Sequence, residues 1–264
     1  MSEWEKKKIL VTVKAYPEKS RKHGPVVCVS GITDEGEWIR LYPFQIHHFS
    51  GPNKIKKYDW IEIECKKASE KLNRKESYKI RAESVRIIDR SLHEKKIKGR
   101  VDWGARNEII LPHVDPSLEY LKERFDEDRT SLGLIKPKEV LEFYKKGELE
   151  IIKTEKQFQK TLFGPSIPTI HRIPHIFGYR FRCGGCEDGK EHKLQCEDWE
   201  LLESYRSWGQ HYRNVDILWE KLHEKFFEKM LAEKDLYFYV GMFSQYPTWL
   251  IIGLYYPPKG TGVS

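Results

Sequence analysis

Asparagine and glutamine are scarce in this chain, at 4 and 6 of 264 residues, against 32 lysines and 29 glutamates. Few thermolabile amides and many potential ion pairs are the composition of a heat-adapted protein, which speaks to habitat and not to function. Cysteine is limited to five residues, too few for a secreted disulfide scaffold; three of them lie near a histidine, which points to a metal and a reducing compartment. No stretch approaches the roughly 18 uncharged apolar residues of a membrane span. The opening MSEWEKKKILVTVKAY has no apolar core with a small-residue cleavage site. A soluble, cytoplasmic protein is the expectation. Also missing are a G-x-G-x-x-G or Walker lysine pattern, G-x-S-x-G and H-E-x-x-H, which argues against nucleotide-dependent and common hydrolytic enzymes. No repeat of 20 to 50 residues is visible, so a solenoid is not expected.

What is present is an uneven charge. The net charge of +7 is modest, yet residues 51–100 hold 16 basic and 8 acidic residues, and residues 101–150 reverse the balance with 8 basic and 12 acidic. The first ninety residues read as about five short strands. Lys8–Tyr16, Pro25–Ser30, Glu37–Tyr42, Tyr58–Cys65 and Glu83–Asp89 are β-rich runs separated by turns such as Thr33-Asp-Glu-Gly36, without long helices between them. That pattern favours a small barrel or sandwich over a parallel α/β sheet.

Asp115 followed by Pro116 suggests a cap and first turn for an acidic helix at 115–130, with Leu118, Leu121 and Phe125 at helical spacing. Val140–Tyr144 is expected to return as a strand to the first unit, which sets a boundary near residue 155. An extended, proline-rich connector spans residues 161–175. The second unit, 156–264, is expected to mix strands at Ile176–Arg182, Asp235–Val240 and Trp249–Tyr256 with a helix Trp199–Trp208 capped by Asp198. A longer helix capped by Asn214 follows, with Val215, Leu218, Trp219, Leu222, Phe226 and Met230 on one stripe.

The segments VTVKAYPEKSRKHGPVVCVSGI, GEWIRLYPF, KYDWIEIE, SLGLIKP, EDWELLESYR, KDLYFYVGMF and LIIGLYYPP resemble an uncharacterised prokaryotic family named for a dual OB-containing domain, over most of the chain. The resemblance implies a mainly β fold with an α+β second half: two OB-like β-barrels, the helices attached to the second. OB folds commonly bind oligonucleotides or oligosaccharides on one barrel face, although fold alone does not establish function.

The most specific local motif is Cys183-Gly-Gly-Cys186, then His192 and Cys196, spaced C-x2-C-x5-H-x3-C. Three thiols and an imidazole suit tetrahedral zinc; four protein ligands would make a closed, structural site. A reduced hairpin without metal and an iron-sulfur cluster are the competing readings.

The basic block supplies the second signal. Lys54, Lys56, Lys57, Lys66, Lys67, Arg81 and Arg86 are candidate phosphate contacts, and Trp38, Arg40 and Tyr42 on one strand face form a candidate base-stacking platform. Against this stand interleaved glutamates (Glu62, Glu64, Glu70 and Glu76), which suit a solvated surface, and the option that the trio, rather than Ile39 and Leu41, fills the core. Asp198 with Glu200, and His47, His48, His113, His171 and His175, could support a metal-dependent nuclease, but no motif organises them. The expected function is a non-catalytic protein binding single-stranded or structured DNA or RNA, with structural zinc. The alternatives are an accessory subunit of a larger complex and, last, a nuclease.

Overall fold

The computed structural model describes residues 3–20, 24–51, 53–68, 74–94, 96–97, 100–148, 173–187, 189–242 and 248–261. The connector expected at 161–175 lies outside them up to residue 172, as do Glu70 and His171.

The first half is one sheet of seven strands: β1 (Glu5–Lys14), β2 (Glu18–Ser20), β3 (Gly24–Thr33), β4 (Trp38–Gln45), β5 (Trp60–Lys67), β6 (Ser77–Ile80) and β7 (Arg86–Asp89). Because β1 pairs with both β3 and β5, the order β1-β3-β4-β6-β5 closes into a five-stranded barrel, with β4 and β6 parallel. Closure satisfies the backbone of the ring strands and removes their edges. Strict alternation in β5 aims Ile61, Ile63 and Cys65 inward, where they are buried, and Glu62, Glu64 and Lys66 outward. Ile9, Val11, Val27, Val29, Ile39, Leu41 and Phe44 complete this core. Ile39 and Leu41, and not the trio of Trp38, Arg40 and Tyr42, are thus the core pair of β4. Gly31 has a steric cause: a Cβ there would lie 2.3 Å from the Leu10 carbonyl oxygen, where β1 and β3 run close.

Four short elements follow, α1 (Ser91–Glu94), β8 (Lys96–Ile97), β9 (Arg100–Val101) and α2 (Trp103–Ile110). The second half then contains β10 (Val114–Asp115), α3 (Leu118–Asp128), β11 (Leu132–Ile135), β12 (Pro137–Glu148), β13 (His175–Cys183), β14 (Glu191–Gln195), α4 (Trp199–Trp208), α5 (Val215–His223), a π-helical stretch Glu224–Lys229, α6 (Met230–Glu233), β15 (Tyr237–Met242) and β16 (Trp249–Tyr255). Its sheets are β10-β11-β15-β16 and β12-β13-β14. Only Lys136 separates β11 from β12, and a bridge between Cys196 and Ile251 sets the end of β14 beside β16.

Three expectations change here. Residues 137–148 pair with β13 and do not return to the first barrel, so the sheets divide well before residue 155. Asp115 is not a helix cap, because its carboxylate accepts the Leu134 amide from within β10. Ser117 caps α3 instead, its hydroxyl accepting from the Tyr120 amide. The caps at Asp198 and Asn214 are as expected. Along the last helical run Leu218, Leu222, Phe226 and Met230 are buried, whereas Val215 is 48% exposed.

The halves share an apolar seam in which Leu10, Val13, Ile32 and Tyr58 meet Leu134, Tyr237, Tyr239 and Tyr255. Polar groups lock it. Arg40, 5% exposed, donates to the Met242 carbonyl and to the Ser131 carbonyl, both at 3.0 Å. Glu76, also 5% exposed, accepts from the Ser131 amide and hydroxyl. Each buried charge is thereby hydrogen-bonded across the seam.

Candidate metal centre and basic strand face

The hairpin of β13 and β14 places Phe181 opposite His192, so the imidazole falls two residues along from Cys183 at the end of β13. The turn between them packs against the start of α3: a Cβ on Gly185 would be 3.1 Å from the Pro116 carbonyl oxygen. The ligand atoms of Cys183, Cys186 and His192 lie within 4.8 Å of one another, and Cys186 Sγ is 3.2 Å from His192 Nε2. Ligands held 2.0–2.3 Å from a tetrahedral ion sit about 3.3–3.8 Å apart, so this donor set fits one ion.

Cys196 is not part of the cluster. It lies four residues beyond His192 on the same strand path, roughly 13 Å at a strand's rise. Its side chain is 1% exposed within the core of the second half, and its amide donates to the Phe177 carbonyl. The three-residue spacing from His192 keeps Cys196 on the inward face but too far along. The expected fourth ligand is therefore absent from the site, and the residue beside it is Glu119. Its Oε1 stands 3.8 Å from His192 Nδ1, while Lys122 and Lys190 donate to the carboxylate at 2.7 and 2.9 Å. A carboxylate behind the far ring nitrogen orients a ligating histidine. Burial, with Lys122, holds the His192 pKa below its usual value and so favours the neutral, ligating imidazole. Burial pushes the Cys183 thiol up to about 12, against an opposing hydrogen bond from the Leu118 amide. Glu119 gave no signal in the sequence because α3 and the hairpin are about seventy residues apart.

The candidate nucleic-acid residues separate into two groups. Trp38 packs edge-on to Tyr239 and His113, and Arg40 is committed to the seam, so neither is an open platform. Lys57 is also taken inward: its ammonium donates to the Leu254 carbonyl and sits over Tyr58 and Tyr239. Lys54 is exposed and Lys56 half-buried in the loop before β5, apart from the strands. Tyr42, by contrast, is in register with Lys79 on β6, which is in register with Lys66 on β5. These three point outward as a ladder across the barrel. Lys66 Nζ lies 5.0 Å from the Trp4 ring and the Arg81 guanidinium 4.3 Å from it. Arg86 is exposed opposite Glu62, and Lys67 is exposed at the end of β5 with its ammonium over Tyr78. Lys6 and Lys8 extend the face, paired in register with Glu64 and Glu62. Cations outnumber carboxylates there, although Arg81 is tied to Glu64 at 2.7 Å. Trp4 and Lys6 were overlooked because the strand starts at Glu5, earlier than the run from Lys8 suggests.

The acids suited to a nuclease are otherwise engaged. Asp198 accepts the Leu201 and Leu254 amides, one on each oxygen. Glu200 is held by Lys225 and the Tyr256 hydroxyl. The histidines are dispersed: His47 and His48 stack together, His113 lies on Trp38 and His175 on Tyr205.

Together these features define a mainly β protein with a closed five-stranded barrel in its first half and, in its second, a thiol–imidazole cluster able to hold a metal ion. Two adjacent family models cover the chain. One, described as domain of unknown function DUF8758, matches residues 5–112, and the other, described as domain of unknown function DUF8757, matches residues 113–264. The chain belongs to the DUF8757 family, with a DUF8758 domain ahead of it. The models meet between residues 112 and 113, close to where the sheets divide. No curated protein matches the chain. Among the described residues no helix is long and apolar enough to cross a membrane.

Proposed function

We propose that this is a non-catalytic nucleic-acid-binding protein that takes single-stranded or unpaired DNA or RNA across the outward face of an OB-like first barrel. The observation that carries the reading is the ladder of Tyr42, Lys79 and Lys66, continued by Trp4 between Lys66 and Arg81. Cations spaced at the strand separation of about 4.8 Å follow a phosphate backbone, and aromatic rings beside them stack bases of any sequence. The second half, also read as OB-like, holds zinc through Cys183, Cys186 and His192 and fixes the hairpin against α3. Its role is structural, with Glu119 orienting the His192 ring from its Nδ1 side.

The test is binding of labelled single-stranded DNA and RNA over a salt series. Four phosphate contacts give a slope of log K against log salt of about −3. Alanine at Lys66, Lys79 and Arg81 together is expected to flatten it to about −1 and weaken binding at least tenfold. Absent or salt-independent binding would refute the reading. A second reading, an accessory subunit of a larger assembly, is favoured by Val215 and Ile217, 48% and 44% exposed at the start of α5 beside the 37% exposed Tyr212. Co-purification of one partner at fixed stoichiometry, lost in Ile217→Asp, would favour it.

A further inference from the structure

A cleft of about 310 Å³ opens beside the seam, lined by Lys14, Lys57, Asp198, Trp199, Glu200, Glu203, Ser204 and Ser207. Its acceptors and donors are unequally satisfied. Asp198 has an amide on each oxygen, Glu200 is held by Lys225 and the Tyr256 hydroxyl, and Glu203 is paired with Arg206. The Lys57 ammonium uses one of its protons on the Leu254 carbonyl. The Lys14 ammonium, at the end of β1, lies 4.9 Å from the Trp199 ring and 5.6 Å from the Phe49 ring. Among the described residues no carboxylate or carbonyl accepts a hydrogen bond from it. Rings stabilise such a cation but do not replace its acceptors.

We propose that this cleft binds a phosphate-type oxyanion, seated on Lys14 and completed by the free protons of Lys57 and the hydroxyl of Ser204. Lys14 lacks an acceptor and Lys57 has protons left, while Asp198, whose charge offsets one of the two, has each oxygen on a backbone amide, so the remaining positive charge suits an oxyanion that reaches both ammoniums. The site is separate from the outward strand face and independent of the nucleic-acid reading. The charges around Lys14 set its behaviour. Burial first, then Lys57 and Lys54, lower its pKa to about 8, with Asp198 and Asp59 opposing. Glu200, Glu203, Arg206 and Lys225 form the outer ring. An anion that favours the ammonium form is therefore bound with proton uptake, and its affinity falls as the pH rises above 8.

Isothermal titration of the full chain with inorganic phosphate and with a nucleoside 5′-monophosphate at pH 7.5 tests the site. Sulfate, which does not titrate in this range, is measured at pH 7.5 and 9.5. The expected sulfate affinity falls about twentyfold between the two pH values, with proton uptake visible as a buffer-dependent heat. Lys14→Met is expected to abolish binding of all three anions, while the exposed Lys54→Met changes it less than threefold. Tighter binding of the monophosphate than of phosphate assigns the site to a phosphate ester, and equal affinity assigns it to the free ion; both support it. No binding at 20 mM, a pH-independent sulfate affinity, or binding retained in a folded Lys14→Met protein would overturn it. Lys14→Arg keeps the charge and is expected to bind at pH 9.5, which separates loss of the cation from damage to the fold. Lys66→Ala with Arg81→Ala should leave anion binding intact.

Discussion

Replacing Arg40 by methionine keeps most of the side chain's apolar volume and removes the guanidinium that joins the two halves. The structure sets the size of the loss. Two hydrogen bonds from a buried cation, at 3.0 Å to Met242 and Ser131, contribute about 1.5–3 kcal/mol each. Part of this is recovered, because the Ser131 carbonyl also accepts the Met242 amide and Arg74 lies 3.5 Å from the Met242 carbonyl. The Glu76 carboxylate remains buried on Ser131 with one cation fewer nearby. A net loss of about 3 kcal/mol follows, or about 6–12 °C in melting temperature for a chain of this size. Thermal unfolding followed by circular dichroism measures it, and single-strand binding of the folded protein is measured in parallel. A seam role requires the melting temperature to fall while binding changes less than threefold. An unchanged melting temperature with a tenfold loss of binding would refute the seam assignment and restore Arg40 to an open platform.

Cys183→Ser is expected to release one equivalent of bound zinc and lower the melting temperature, whereas Cys196→Ser should keep the metal; equal metal loss in both would contradict the three-residue site. Burial raises the Asp115 pKa to about 6, against its hydrogen bond from Leu134 and the charge of Arg124. The folded state then binds more protons than the unfolded one between pH 4 and 6, so stability falls as pH rises through that window and stays lower above it. Asp115→Asn, which can still accept from Leu134, should stabilise at pH 7 by up to about 3 kcal/mol and have little effect at pH 4; chemical denaturation at both values checks this. Asp198→Ala removes a cap and leaves the Leu254 amide unpaired, a loss of about 2–4 kcal/mol, and Asp198→Asn, whose single carbonyl oxygen can accept from only one of the two amides, should also destabilise in the same denaturation experiment.

The first barrel was legible because its signals are local: period-two alternation in Tyr58–Cys65 and turn residues between short β-rich runs. The caps Asp198 and Asn214 were legible for the same reason. What escaped depends on pairings between distant segments. Nothing in Val140–Tyr144 says that it pairs with β13 rather than with the first barrel. The four-residue step from His192 to Cys196 reads as ligand spacing in a loop, yet in a strand it carries the thiol roughly 13 Å away. Arg40 and Lys57 look like surface cations until the second half covers them, and Glu119 becomes relevant only when α3 meets the hairpin. The basic block 51–100 divides in space. Lys66, Arg81 and Arg86 share the outward face with Tyr42, while Lys54, Lys56 and Lys57 lie in the loop at the seam.

The outward ladder, and not the loop before β5, is the proposed contact for the nucleic-acid backbone. Fluorescence anisotropy of single-stranded DNA and RNA across 50–300 mM salt, comparing Lys66→Ala/Lys79→Ala/Arg81→Ala with Lys54→Ala/Lys56→Ala, tests it most directly. The triple variant is expected to lose at least tenfold in affinity and most of the salt slope while the double variant loses less than threefold. Equal losses in the two variants, or no binding by the unaltered protein at the lowest salt, would contradict it.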